Sequence, residues 1–155
     1  MTTRLFPLAA LALAIATPAQ ARDWELANVS EDHSGAMFVD IDSIKVKDGA
    51  MREAEIYIVL RTDNQDIAAL QSLLLIDCAG ARKRSQWWLG FDAGGRVVTQ
   101  EPAETEWIPM KEGTLFGRVL ERVCKGPPAT PNQRFGAKVP LDQVRARLNN
   151  PPAAN

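Results

Sequence analysis

Residues 74–88, LLIDCAGARKRSQWW, bring one cysteine, three basic residues and two tryptophans together in a segment that is predicted to be extended. Successive side chains of a strand point to opposite faces of its sheet. Alternation places Leu74, Ile76 and Cys78 on one face and Leu73, Leu75 and Asp77 on the other. Cys78 therefore points the same way as two large aliphatic side chains, which predicts that it faces a core.

The first 21 residues have the three-part pattern of a secretory signal peptide. Arg4 precedes an apolar run over residues 5–16, and Pro18 is followed by the small-residue triplet at 19–21. The apolar run is shorter than the roughly 20 residues that a membrane-spanning helix needs, and no later run is longer. No cysteine stands at the cleavage region to accept a lipid. We therefore expect a periplasmic or extracellular protein without a lipid anchor, beginning near Arg22; an uncleaved anchor is the alternative.

The remaining chain is long enough for one domain with a modest core. We assign residues 22–126 to this domain and residues 127–155, rich in proline, alanine and asparagine, to a flexible C-terminal tail. A short helix over residues 141–148 is the one element predicted in the tail. The formal net charge of the whole chain is −1, with acids and bases interspersed. This balance favours neither nucleic acid nor an anionic membrane as a partner.

The chain contains two cysteines, Cys78 and Cys124. In an exported protein, an even cysteine count without metal-ligand spacing favours a structural disulfide. A zinc site would need four ligands, and His33 is the single histidine that could add to the two thiols. A free functional thiol remains the alternative.

A helix is predicted over residues 114–124, ending at Cys124. Thr114 is a suitable N-cap, and Gly126 followed by two prolines stops the helix. The apolar residues at helical spacing are Leu115, Phe116, Val119, Leu120 and Val123. A disulfide from the last turn of this helix to Cys78 would clamp the helix onto the sheet.

The rest of the domain is predicted to consist of short strands separated by turn signals. Alternating segments occur at residues 24–29, 37–41, 54–60, 86–91 and 96–100. Residues 64–71 are polar enough to predict a loop or a short helical turn. The predicted fold is α+β: an antiparallel β-sheet of about five to six strands, with one amphipathic helix packed on it and linked to it by the disulfide.

Two features are weak candidates for chemistry. Asp40 and Asp42 share a strand face, where a divalent ion could lie between them, but a turn after Asp42 explains them as well. His33 stands in a polar stretch without a nucleophile motif elsewhere to partner it. We predict no metal site, no cofactor and no enzymatic activity.

A partner-binding surface is the more specific hypothesis. Its four candidate residues are Arg82, Lys83, Arg84 and Trp88. On an unbroken strand Trp87, Leu89 and Phe91 share one face, which we assign to the core, and Trp88 lies with Arg84 and Gln86 on the other. An exposed tryptophan beside arginine is typical of interaction sites, and a solvated face is the alternative.

Several short motifs occur in an order that resembles the surface-adhesin protein E family. They are Trp24 with Val29 and Ser30, Phe38-Val39-Asp40 with Ser43-Ile44-Lys45, Ile76-Asp77-Cys78 with Arg82 to Arg84, Phe91-Asp92 with Gly95, Trp107-Ile108-Pro109, and Cys124 at a helix end. The resemblance covers Trp24 to about Lys125. It implies an antiparallel sheet with a helix fastened by a Cys78–Cys124 disulfide.

The resemblance also implies a function. The founding adhesin of the family is a surface lipoprotein that binds host matrix and serum proteins such as vitronectin and laminin, can form a dimer, and has been linked to haem. We therefore expect a non-enzymatic, adhesin E-like domain that acts by protein–protein interaction, with a host matrix or envelope protein as partner. The oligomeric state is left open, and a homodimer is one of the alternatives. The alternative is a periplasmic accessory protein that binds a small, haem-like ligand between sheet and helix.

Overall fold

The computed structural model describes residues 22–61, 66–127 and 133–151. Within them the chain forms one eight-stranded antiparallel sheet and two α-helices, besides a single 3-10 turn at Ile41–Ser43. The strands are β1 (Trp24–Val29), β2 (Gly35–Asp40), β3 (Lys45–Asp48), β4 (Met51–Leu60), β5 (Ala69–Asp77), β6 (Arg82–Phe91), β7 (Val97–Glu101) and β8 (Ile108–Pro109), and the helices are α1 (Leu115–Lys125) and α2 (Leu141–Asn149).

The sheet runs in the order β1-β2-β4-β5-β6-β7, with β3 paired to β4 and β8 paired to β6. Each pair is antiparallel, which confirms the predicted fold class; the described chain has more strands than predicted and a second packed helix.

Two details of the sheet differ from the sequence predictions. Residues 74–88 are not one extended segment, because β5 ends at Asp77 and a turn over residues 78–81 leads into β6. Ala69, Leu70 and Gln71 belong to β5 and not to a loop, since this strand pairs along its length with both β4 and β6.

The first face of the sheet is covered by α1. The helix begins after Thr114, whose hydroxyl accepts a hydrogen bond of 3.1 Å from the Gly117 N–H, and ends at Gly126 with a φ of 90°. The apolar side of α1 buries Val119 and Val123 against the sheet. The core cluster on this face consists of Met37, Val39, Ala54, Ile56, Ile58, Leu74, Ile76, Met110, Val119 and Val123. The helix, its N-cap and its apolar face are therefore as predicted.

A half-buried disulfide and a buried ion pair fasten α1 to the sheet. The disulfide joins Cys78, just after β5, to Cys124 in the last turn of the helix, with a Cα–Cα distance of 5.7 Å. The guanidinium of Arg122 donates to both carboxylate oxygens of Glu25 on β1, at 2.6 and 3.2 Å. Because breaking a buried ion pair leaves an uncompensated charge, this contact fixes the position of the helix along the sheet.

The second face is partly covered by α2 and the segment before it. Residues 133–136 run along β1, where the Trp24 N–H donates to the Gly136 carbonyl at 3.0 Å and the Phe135 N–H donates to the Trp24 carbonyl at 2.8 Å. Helix α2 then packs Val144 and Leu148 against Phe38. Residues 133–151 thus pack on the domain, contrary to the predicted flexible tail, because the sheet offers them an apolar second face. The helix predicted at residues 141–148 is confirmed.

The predicted signal peptide, residues 1–21, lies outside the described residues, as do residues 128–132 and 152–155 of the predicted tail. In the part of the chain that the structure describes, no helix has both the length and the apolar character needed to cross a membrane.

Removal of the disulfide should lower the stability of the folded protein considerably. The bonded cysteines are 46 residues apart, and closing a loop of that length stabilises the folded state by about 4 kcal/mol in the chain-entropy model. Replacing both cysteines by serine should therefore lower the urea midpoint well below that of the oxidised protein, and reduction of the natural protein should reproduce the loss. An unchanged midpoint in both experiments would contradict the clamp.

Candidate functional site

Within residues 22–61, 66–127 and 133–151, the apolar cluster on the second face of the sheet ends near β4, and the part of this face formed by β5 and β6 is left open. Four apolar side chains on this part are half-buried and belong to neither core cluster: Leu73, Leu75, Trp87 and Leu89. They lie close together, since Leu73 pairs with Trp87 in the register of the two strands. We call these four residues, together with Arg82, Arg84 and Trp107, the open face.

A β-bulge in β6 decides which side chains reach the open face. Leu73 pairs with Trp87 and Leu74 pairs with Ser85, so that Gln86 is an extra residue and the alternation shifts by one position. The register places Trp88 opposite Ser72, on the face that α1 covers. The predicted grouping of Trp88 with Arg84 is therefore wrong, whereas Gln86 does share the face of Arg84.

The same shift changes the environment of the Trp87, Leu89 and Phe91 side chains. These three residues share one face, as predicted, but that face is the second face of the sheet and not the α1 core. The core assignment was wrong because the bulge cannot be seen from the spacing of apolar residues alone.

Lys83 is buried beneath α1, with 3% of its surface exposed. Its ammonium group lies 3.1 and 3.2 Å from the two carboxylate oxygens of Glu104, and its Nζ lies 4.9 Å from the Phe116 ring centre and 5.5 Å from the Trp88 ring centre. Of the four residues predicted to bind a partner, Lys83 and Trp88 thus lie on the α1 side of the sheet. Arg82 and Arg84 lie on the open face.

Trp107 completes the basic end of the open face. It immediately precedes β8, which pairs with the start of β6 and so brings the indole next to the two arginines. The guanidinium carbons of Arg82 and Arg84 lie 5.0 and 5.1 Å from its ring centre. Cation–π contacts at this distance hold both guanidinium groups against one aromatic ring. The sequence did not identify this role of Trp107, because the contact depends on the pairing of a two-residue strand.

The two arginines differ in their counter-charges. Arg82 Nε donates to the Asp77 carboxylate at 2.9 Å. Backbone hydrogen bonding from Gly80, and then the bond from Arg82, keep the pKa of Asp77 below its ordinary value, so this carboxylate stays charged. Arg84 has no acidic partner within residues 22–61, 66–127 and 133–151. Its positive charge is available to an external carboxylate.

The acids nearest to the open face are already engaged. Gln86 donates to Glu53 at 2.6 Å, and Lys47 contacts the same carboxylate at 3.4 Å. Glu55 pairs with Arg22 at 3.2 Å and accepts from Gln71 at 3.0 Å. With these acids engaged, Leu73, Leu75, Trp87 and Leu89 form an apolar strip beside the cationic group of Arg84. Such a surface suits a partner that has an apolar patch next to an acidic side chain.

The two weaker candidates for chemistry have structural roles in the described chain. The Asp40 carboxylate accepts from the backbone N–H groups of Asp23 and Asp42, at 3.1 and 3.2 Å, and so caps the 3-10 turn. His33 lies in the β1–β2 turn with a φ of 55°, where its backbone N–H donates to the Ser30 carbonyl. Among the described residues, no group of three or more His, Cys, Asp or Glu could hold a metal ion.

Comparison with known proteins adds a family relationship. The sequence model described as surface-adhesin protein E matches residues 24–125. A crystal-form II structure of Haemophilus influenzae protein E is 12% identical, with 76% of this chain and 96% of that chain covered and a TM-score of 0.49. A crystal structure of protein E from non-typeable Haemophilus influenzae is 10% identical, with 91% and 95% covered and a TM-score of 0.45. No curated protein matches at a significant level.

The different surroundings of Lys83 and Arg84 predict that matched substitutions lower the free energy of unfolding by different amounts. Lys83→Met would leave the Glu104 carboxylate with the Ser85 N–H but without its cation, and should lower the free energy of unfolding by about 2 kcal/mol. Arg84→Met removes a charge whose described contact is the Trp107 ring, and should change the free energy of unfolding by less than about 1 kcal/mol. Urea denaturation of both variants measures the difference. A larger loss for Arg84→Met than for Lys83→Met would contradict the assignment of the two side chains.

Proposed function

The chain belongs to the surface-adhesin protein E family, and from this we propose that it binds a protein partner through the open face. Family membership supports an adhesin-like role in general and an exported protein. An adhesin acts by contact, so that the relevant chemistry is that of an interface and not of a catalytic centre.

The observation that carries the proposal is the juxtaposition of the apolar strip with Arg84. Burial of half-exposed leucine and tryptophan side chains supplies binding free energy of about 25 cal/mol per Å² of apolar area. Tryptophan and arginine are the residues most enriched among those that dominate binding energy at interfaces. Trp87 and Arg84 share this face of β6, and the Trp107 ring, just before β8, stacks on Arg84 at 5.1 Å.

The chemistry of the face defines the class of partner. A carboxylate of the partner pairs with Arg84, and its apolar side chains cover Leu73 and Leu75. A host matrix protein or a protein of the cell envelope would meet these requirements. The Cys78–Cys124 disulfide fits such a location, because disulfides persist in oxidising compartments.

Charge reversal on the open face should weaken binding. We expect Arg84→Glu to reduce the affinity of the mature protein for immobilised vitronectin or laminin by at least about tenfold, because an attractive charge pair becomes repulsive. Trp87→Ser should cause a comparable loss by removing apolar contact area. The matched control is Arg118→Glu on α1, at the opposite side of the sheet, which should bind as the natural protein does.

Circular dichroism of each variant establishes that the fold is retained. Equal binding by Arg84→Glu, Trp87→Ser and the natural protein would contradict the proposed surface. Failure of the natural protein to bind either matrix protein would contradict a host matrix partner.

Adhesion requires exposure at the cell surface. Protease added to intact cells should degrade the protein as fully as protease added to cells with a permeabilised outer membrane. Protection until permeabilisation would place the protein in the periplasm and would restrict its partner to envelope proteins. A periplasmic marker protein that stays intact in the first sample is the control.

A further inference from the structure

A separate cavity of about 260 Å³ lies on the covered half of the second face, between α2 and strands β1 and β2. The apolar walls are formed by Leu26, Ala36, Phe38, Phe135, Val144 and Leu148. Such walls favour binding of a hydrocarbon chain, because the apolar surfaces of both the chain and the walls are then removed from water.

The polar groups at this cavity are cationic or neutral, and none of the residues that line it is an acid. Arg147 lines the cavity from α2, one turn beyond Val144, and its side chain is exposed. It has no ion-pair partner within the described ranges 22–61, 66–127 and 133–151. His33 contributes from the β1–β2 turn, whose Ser30 hydroxyl accepts from Gly35 N–H and keeps the turn closed.

We infer that this cavity binds the anion of a medium-chain fatty acid, with the chain between α2 and the sheet and the carboxylate at Arg147. A guanidinium without a counter-ion matches a carboxylate, which it can bind through two parallel hydrogen bonds. The volume lies just below the range of about 300–1,000 Å³ that is usual for ligand pockets, and so suits one unbranched chain. This inference goes beyond the proposed function, since the cavity and the open face are different parts of the sheet.

Decanoate is the probe, and isothermal titration calorimetry of the mature protein is the measurement. We expect Arg147→Gln to weaken decanoate binding by about tenfold or more, with little change in the binding of decanol, which has no charge. Octanoate should bind about fifteenfold more weakly than decanoate, since each buried methylene contributes about fourfold. Arg118→Gln removes an equal charge from α1 and should leave decanoate binding unchanged.

A second variant tests the position of the chain independently. Val29 lines the cavity and is 36% exposed, so that Val29→Trp should fill the site without disturbing the core, and abolish binding. Decanoate that does not bind, or that binds equally well to Arg147→Gln and Val29→Trp, would overturn the inference. Binding to phosphatidylglycerol vesicles without binding of free decanoate would also overturn it, because the occupant would then be a membrane lipid.

The decanoate measurements on the Arg147→Gln and Val29→Trp variants do not require a protein partner. Loss of decanoate binding in Arg147→Gln leaves the open face intact, and loss of partner binding in Arg84→Glu leaves the cavity intact. Failure of one proposal can therefore be distinguished from failure of the other.

Discussion

The fold depends on a strand that has leucine on both of its faces. Leu74 on β5 belongs to the core beneath α1, whereas Leu73 and Leu75 point to the second face. A sheet with apolar side chains on both faces is stable in water when both faces are covered. Helix α1 covers one face and is held there by the disulfide and the Arg122–Glu25 ion pair. Helix α2 covers the other face beside β1, β2 and β4, and in the described part of the chain Leu73 and Leu75 of β5 lie beyond this cover.

The bulge at Gln86 gives the open face its composition. Without the extra residue, Trp88 would stand beside Arg84, and Trp87 would lie beneath α1. With it, Trp88 lies on the same side as Lys83, which is buried and paired with Glu104. The open side receives both arginines and Trp87. The bulge thus decides which tryptophan shares a face with Arg84, while the ordinary alternation of β6 places Lys83 on the opposite face from the two arginines.

Local patterns in the sequence were sufficient for much of the fold. Alternation predicted β1, β2 and β4, and the Thr114 cap with Gly126 predicted α1, because these signals lie within a few residues of the element they define. The bulge and the stacking of Arg82 and Arg84 on Trp107 were not predicted, since both depend on how separate strands pair. The packing of residues 133–151 was missed because their polar composition does not show that a distant sheet face is free to receive them. Of the candidate site, the two arginines were predicted and Trp107 was not.

We propose the open face as the surface through which this family member binds its partner. Nuclear magnetic resonance of methyl-labelled leucines during titration with vitronectin tests this most directly. We expect signal loss at Leu73, Leu75 and Leu89, with Leu70 and Leu74 unchanged because they lie on the face that α1 covers. Signal loss confined to Leu115 and Leu120 of α1, or no change at any leucine, would contradict it.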